Sequence, residues 1–227
     1  DRMTTAIQKT MSLQVWVMLL TLSVLWGSSF FFVGIVVSAL PPLTIVLVRV
    51  GFAAVALWII VAVLRVSCLK SMKAWLALFG MGMLNNVIPF SLIVWGQTQI
   101  PSGLASIFNA TTPLFTVVLA GLLLSDERLT TNKLIGAFVG LIGAVYMIGP
   151  SALADLGAGT LAQLAIIGSS ISYGFAGVFG RRFKPMGLHP IATAAGQVTA
   201  STVILIPFAL LIDQPFQLHH SNYQCLA

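Results

Sequence analysis

Residues 41–65 read PPLTIVLVRVGFAAVALWIIVAVLR. The stretch opens on two prolines, runs through apolar side chains from Leu43 to Leu64, and stops at Arg65. Proline lacks a backbone donor and restricts the residue before it, so Pro41-Pro42 marks a helix boundary. An α-helix needs about 20 apolar residues to cross the hydrocarbon core of a bilayer, and this run supplies them. Its single charge is Arg49. Six further runs have the same character, at 13–37, 74–95, 103–124, 134–149, 160–180 and 191–212. The fifth in chain order, 134–149, is short and closes on Pro150. Proline or Gly-Pro pairs punctuate the gaps, at Pro101, Gly149-Pro150 and from Pro185 to Pro190. The fold class predicted is all-α: a polytopic helical membrane protein with seven transmembrane helices.

Composition agrees. Hydrophobic residues make up 58% of the 227 and charged residues 7%, whereas a soluble domain carries about a quarter charged residues. The net charge of +6 does not imply nucleic acid, because the basic residues form no patch with interleaved aromatics. They occupy the short gaps between apolar runs. The first run is too long for a signal-peptide core of about 7–15 residues, so it reads as a retained span. Cys68 and Cys225 are far apart and in no metal-binding spacing, so neither a zinc site nor a disulfide framework is expected. There is no P-loop pattern, no GxGxxG after a strand, and no nucleophile triad. No catalytic residue, metal or cofactor is expected, and the chain is not read as an enzyme.

Lysine and arginine favour the cytoplasmic side of a membrane. Arg2 and Lys9 precede the first run. Arg65, Lys70 and Lys73 lie between the second and third, Arg128 and Lys133 between the fourth and fifth, and Arg181, Arg182 and Lys184 between the sixth and seventh. The alternate gaps around Pro41, Pro101 and Asp155 hold none. The amino terminus is therefore expected in the cytoplasm, with the protein in the inner membrane.

Two stretches resemble each other at an offset of 147 to 148 residues. Trp26-Gly27, Pro42-Leu43-Thr44 and Arg49 match Tyr173-Gly174, Pro190-Ile191-Ala192 and Gln197. Five spans separate matching points, so the second copy must cross in the opposite direction. Inverted repeats of this kind recur in secondary transporters.

The run Leu25-Trp26-Gly27-Ser28-Ser29-Phe30, the segment Pro42 to Arg49, Ala110-Thr111-Thr112-Pro113-Leu114-Phe115, and Leu122 through Thr130 with Ser125-Asp126-Glu127 together resemble the EamA-type permeases of the drug/metabolite transporter superfamily. That resemblance implies a ten-helix inverted-repeat (5+5) fold with both termini in the cytoplasm. It also implies transport of amino acids, metabolites or drugs by alternating access. Residues 13–149 would form the first five-helix repeat, and 160–212 the first two helices of the second. Residues 213–227 would be a polar tail, and the chain would stop after the seventh of ten spans. The alternatives are an inactive fragment or partner-dependent half-transporter, and, less favoured, a receptor or membrane enzyme. The partners expected are a small-molecule substrate and the lipid bilayer, with no nucleic acid.

Seven residues are candidates for the substrate site. Arg49 lies about 10 Å along its span at 1.5 Å per residue. A cation at that depth costs about 2.5–3.5 kcal/mol on insertion scales and must face protein or water. No acidic residue lies within a span, so its partner is either a set of backbone carbonyls or the carboxylate of a solute. Asn85 and Asn86 precede Pro89, and Asn109 precedes Pro113. Amides beside a proline kink suit either a midplane cavity or interhelical hydrogen bonds. Trp26 and Tyr173 occupy matching repeat positions as either interfacial aromatics or cavity walls. Gln197 is the neutral counterpart of Arg49. Thr130, Thr131 and Asn132 can cap the fifth span, whose amino terminus favours the nearby charges of Asp126 and Glu127, so these acids read as a structural cap in preference to a proton site. Gly136, Gly140 and Gly143, and Ser170, Gly174 and Gly177, form small-residue faces that let helices pack closely.

Overall fold

The computed structural model describes residues 12–66, 71–127, 129–148 and 159–215. Both cysteines, Asp155, the loop cations Lys70 and Arg128, and the tail from 216 lie outside these. Among the described residues every regular element is helical. The helices are α1 (Leu13–Val36), α2 (Pro42–Val63), α3 (Met72–Gln97), α4 (Ser102–Leu123), α5 (Thr131–Ile148), α6 (Thr160–Gly180) and α7 (Pro190–Phe208). A π-helical turn, Ala209–Asp213, extends α7. All but α5 are long and apolar enough to cross a membrane. The 18 residues of α5 span about 27 Å at 1.5 Å per residue, close to the thickness of a hydrocarbon core. The chain is a multi-pass helical membrane protein.

The helices run up and down. At one end Gln97 of α3 meets Ser102 of α4 and Phe30 of α1, while Asp213 beyond α7 meets Thr44 at the start of α2. At the other end Asp126 after α4 meets Arg181 after α6. Hence α1 and α6 cross in opposite senses, as do α2 and α7. Helix α2 packs along α7, and α6 is held between α3 and α4. Helix α6 buries eight residues along its length, from Ala162 to Ala176, whereas α1 buries Val33 alone.

Close packing rests on small residues where helices meet. A methyl group at Gly174 would lie 3.2 Å from the Phe115 backbone, and one at Gly82 would lie 3.0 Å from the Gln197 carbonyl oxygen. The α6 face with Ser170, Gly174 and Gly177 therefore packs as expected. The α5 face does not: among the described residues nothing lies within 4 Å of a methyl at Gly136, Gly140 or Gly143.

Two helices are broken at proline, each with its carbonyls resatisfied. In α3 the segment Met83–Val87 is a π-turn in which the Ile88 N–H bonds the Met83 carbonyl. That skips Leu84, and the next N–H in π register would belong to residue 89, a proline without one. The Ser172 hydroxyl of α6 fills the gap, donating to the Leu84 carbonyl at 2.7 Å. In α4 the helix breaks after Asn109. Pro113 cannot donate to the Asn109 carbonyl, and the Thr112 hydroxyl does so at 2.7 Å.

Candidate functional site

The expected site residues separate into two groups. Trp26, Arg49 and Tyr173 come together around one cavity, and Asn86 and Gln197 meet in a hydrogen-bonded tie elsewhere.

The cavity lies between α1, α2, α3 and α6. Trp26, Ser29, Phe30 and Val33 of α1 line it, as do Phe90, Ile93, Val94 and Gln97 of α3. Each set has the spacing i, i+3, i+4, i+7, which places it on a single helix face. Arg49 and Tyr173 complete the wall. The aromatics interlock edge to face: Trp26 and Tyr173 have centroids 6.3 Å apart, and Phe90 and Tyr173 are 6.5 Å apart. The Arg49 guanidinium carbon sits 4.3 Å from the Phe90 ring centre. That cation–π contact is the one interaction geometry gives Arg49 among the described residues; it forms no ion pair or hydrogen bond with them. The carbonyl tie considered for Arg49 is absent there. The residue is more than a third exposed, and a cation at depth cannot leave that side to lipid.

At about 20 Å³ the cavity has room for one water molecule. Gln97 closes one side of it and is 6% exposed. Its amide nitrogen donates to the Phe30 carbonyl at 3.0 Å and to the Ser102 hydroxyl at 2.8 Å. Its amide oxygen is buried and has no hydrogen-bond partner. Gly34 makes room for this cluster, since any methyl there would collide with the Ser102 hydroxyl.

The second group ties α3 to α7. Asn86 donates through Nδ2 to the Ser201 hydroxyl at 2.9 Å, and Gln197 donates through Nε2 to Asn86 Oδ1 at 3.3 Å. The Ser201 hydroxyl donates to the Gln197 carbonyl at 2.8 Å. Asn86, 3% exposed, thus holds the π-turn of α3 against α7. Asn85, one residue earlier, is half-buried. Asn109 lies at the break in α4, its Oδ1 buried without a partner. Neither Asn85 nor Asn109 lines the Arg49 cavity.

A wider groove of about 800 Å³ runs between α2 and α7, walled by Phe52, Val55, Trp58, Ile59 and Val203. No charged residue lines it. Among the described residues no group of three or more His, Cys, Asp or Glu is placed to hold a metal.

Sequence reasoning missed Phe90 and Gln97. Their signal was the helical stripe 90, 93, 94, 97, whose one amide falls at the position that faces α1.

Residues 14–149 match the EamA-like transporter family. An uncharacterized inner membrane transporter, YedA, of Escherichia coli K12 is 30% identical over 192 residues, which is 83% of this chain and 60% of that protein. An uncharacterized transporter, YoaV, of Bacillus subtilis is 23% identical over 202 residues, 86% of this chain and 66% of that protein. Protein PagO of Salmonella typhimurium is 29% identical over 125 residues, 55% of this chain and 41% of its own length. The chain spans about two thirds or less of the length of these relatives. No solved structure matches.

Proposed function

The chain belongs to the EamA-like transporter family, and from that premise we propose that it takes part in carrying a small anionic or zwitterionic solute across the inner membrane, with Arg49 engaging the solute's carboxylate. The observation that carries this reading is the state of Arg49. A guanidinium at membrane depth stacks on Phe90 at the wall of a cavity, and no described carboxylate neutralises it. The attraction between this cation and a carboxylate is far stronger in a low-dielectric pocket than in water. The guanidinium fork also fits a carboxylate in two parallel hydrogen bonds.

A cavity with room for one water is too small for a metabolite, so solute entry requires a wall to move. Helix α1 is suited to that, because it supplies one side of the cavity yet buries only Val33. Its movement against α3 and α6 would be one half of an alternating-access cycle. The inverted relation of α1–α2 to α6–α7 supports that reading, since Trp26 and Tyr173, matched in the repeat, touch and α2 and α7 run antiparallel along each other. The relatives are longer, so a full cycle is read as a property of the longer assembly of spans.

The test is equilibrium binding to the 227-residue chain in lipid nanodiscs, followed through tryptophan fluorescence because Trp26 lines the cavity. The carboxylate probe 4-methylpentanoate should bind the wild type and lose at least tenfold in affinity in Arg49→Gln. Equal affinity for both proteins would rule out the substrate role of Arg49.

A further inference from the structure

We infer that Gln97 is the second point of solute recognition beside Arg49, its amide oxygen accepting a hydrogen bond from an ammonium or hydroxyl carried by the solute. The inference rests on the Arg49 reading and extends it: the solute carries a donor next to its carboxylate.

The amide orientation follows from its partners. A backbone carbonyl can only accept, so the contact with the Phe30 carbonyl at 3.0 Å requires the NH2 side of Gln97 there. The Ser102 hydroxyl takes the second proton at 2.8 Å. A flip would set oxygen against oxygen. Oε1 is therefore left as the buried end of the amide with no partner among the described residues, on a side chain that lines the same cavity as Arg49. A buried acceptor left empty costs about 1–3 kcal/mol, a cost that a donor entering the cavity would relieve. Asn109 also has a buried, unpartnered oxygen, but no second contact sets its orientation and it does not line the cavity. The lining favours a cationic donor: Trp26, Phe30 and Tyr173 line the space beside Phe90, and aromatic rings attract ammonium groups. The rival occupant of Oε1 is a single water.

Three matched probes separate these possibilities. Leucine carries both groups, 4-methylpentanoate only the carboxylate, and 3-methylbutylamine only the ammonium. Binding is measured to the chain in nanodiscs, with thermal unfolding as a check on folding. The wild type should bind leucine about tenfold more tightly than 4-methylpentanoate, the worth of about one charge-assisted hydrogen bond. In Gln97→Met the two affinities should converge to within about twofold, with that for 4-methylpentanoate retained. If Gln97→Met does not fold, Gln97→Asn, which sets the oxygen back by one methylene, should narrow the same ratio. Equal wild-type affinities, a ratio unchanged in the variant that folds, or a parallel loss of both ligands overturns the proposal and leaves Oε1 to water. If 3-methylbutylamine binds as tightly as leucine, the Arg49 reading falls, while the leucine to 4-methylpentanoate ratio still decides Gln97. Binding of none of the three overturns both.

Discussion

Arginine and lysine share a charge but not a shape, and that difference separates the two roles open to Arg49. If the residue grips a carboxylate, Arg49→Lys keeps the attraction and loses the paired hydrogen bonds, so affinity for a carboxylate probe should fall by about tenfold. Arg49→Gln should lose more, and both variants should remain folded. If instead the guanidinium on Phe90 chiefly steadies α2 against α3, both variants should lower the unfolding temperature in detergent and leave the affinity of the folded fraction unchanged. Sequence alone made Arg49 visible because a charge inside an apolar run is costly. Trp26 and Tyr173 were visible because they matched in the repeat. Gln97 was not, because an amide near the end of a span reads as interfacial until the partners of its two ends are known. Asn86 and Gln197 were candidates for the same site. They bond each other and Ser201 instead, because an amide pair between two apolar helices finds its nearest partner across the helix interface.

At the scale of the helix, side-chain hydroxyls replace backbone bonds lost beside Pro89 and Pro113, Ser172 from a neighbouring helix and Thr112 from within the same one. Ser172→Ala should leave the Leu84 carbonyl unsatisfied in the π-turn of α3. It should destabilise the protein by about 1 kcal/mol, read as earlier unfolding in detergent, and an unchanged midpoint would show that the π-turn satisfies itself. The start of α2 has a comparable dependence on another helix. Asp213 accepts from the Thr44 backbone N–H at 2.7 Å and from its hydroxyl at 2.9 Å, so a side chain beyond α7 caps α2. Asp213→Ala should cost about 1 kcal/mol, the usual worth of an N-cap, while Asp213→Asn keeps an acceptor oxygen and should cost less. The helices themselves were legible to within a few residues, because apolar length and proline punctuation carry that information locally. The π-turn was not, since Pro89 predicts a kink and the residue that supplies the missing donor lies 83 positions on, at Ser172. The cap on α2 was hidden for a similar reason: Asp213 read as the first residue of a polar tail, and only the antiparallel run of α2 and α7 brings it to Thr44. The face Gly136, Gly140 and Gly143 had the right spacing for packing, but spacing does not supply a partner helix.

The whole molecule has two unlike ends. At one, Asp126 and Arg181 form a two-bond ion pair at 2.7 and 2.9 Å, tying α4 to α6, and Glu127 pairs with Lys133 at 2.7 Å. The Arg181 hydrogen bonds hold the exposed Asp126 carboxyl below its ordinary value of 3.8. A depressed carboxylate pKa contributes above the unfolded value and is lost as the pH falls through the folded one. Spin labels at Leu123 and Val178 should therefore report one distance from about pH 5 to 8 and a broader distribution well below pH 3.8, and high salt should weaken the tie because the pair is exposed. The same end collects charge in a way that fixes an expectation for sidedness. Of the described lysines and arginines other than Arg49, Arg65, Lys73, Lys133, Arg181, Arg182 and Lys184 all lie there, in loops or in the first turn of a helix, and the end with Pro41, Pro101 and Asp213 has none. The acids Asp126 and Glu127 share the basic end, but orientation follows lysine and arginine and not net charge. Because the helices alternate in direction, one loop placed in the cytoplasm places every other loop. A reporter fused after Lys184 should read cytoplasmic, and one fused after Pro101 should read periplasmic. The reverse at both points would mean that the molecule is inserted upside down. Agreement at one point and failure at the other would mean that an odd number of the helices between Pro101 and Lys184 do not cross. The helix to suspect would be α5, whose glycine face meets none of the described residues and whose length only just reaches across the bilayer.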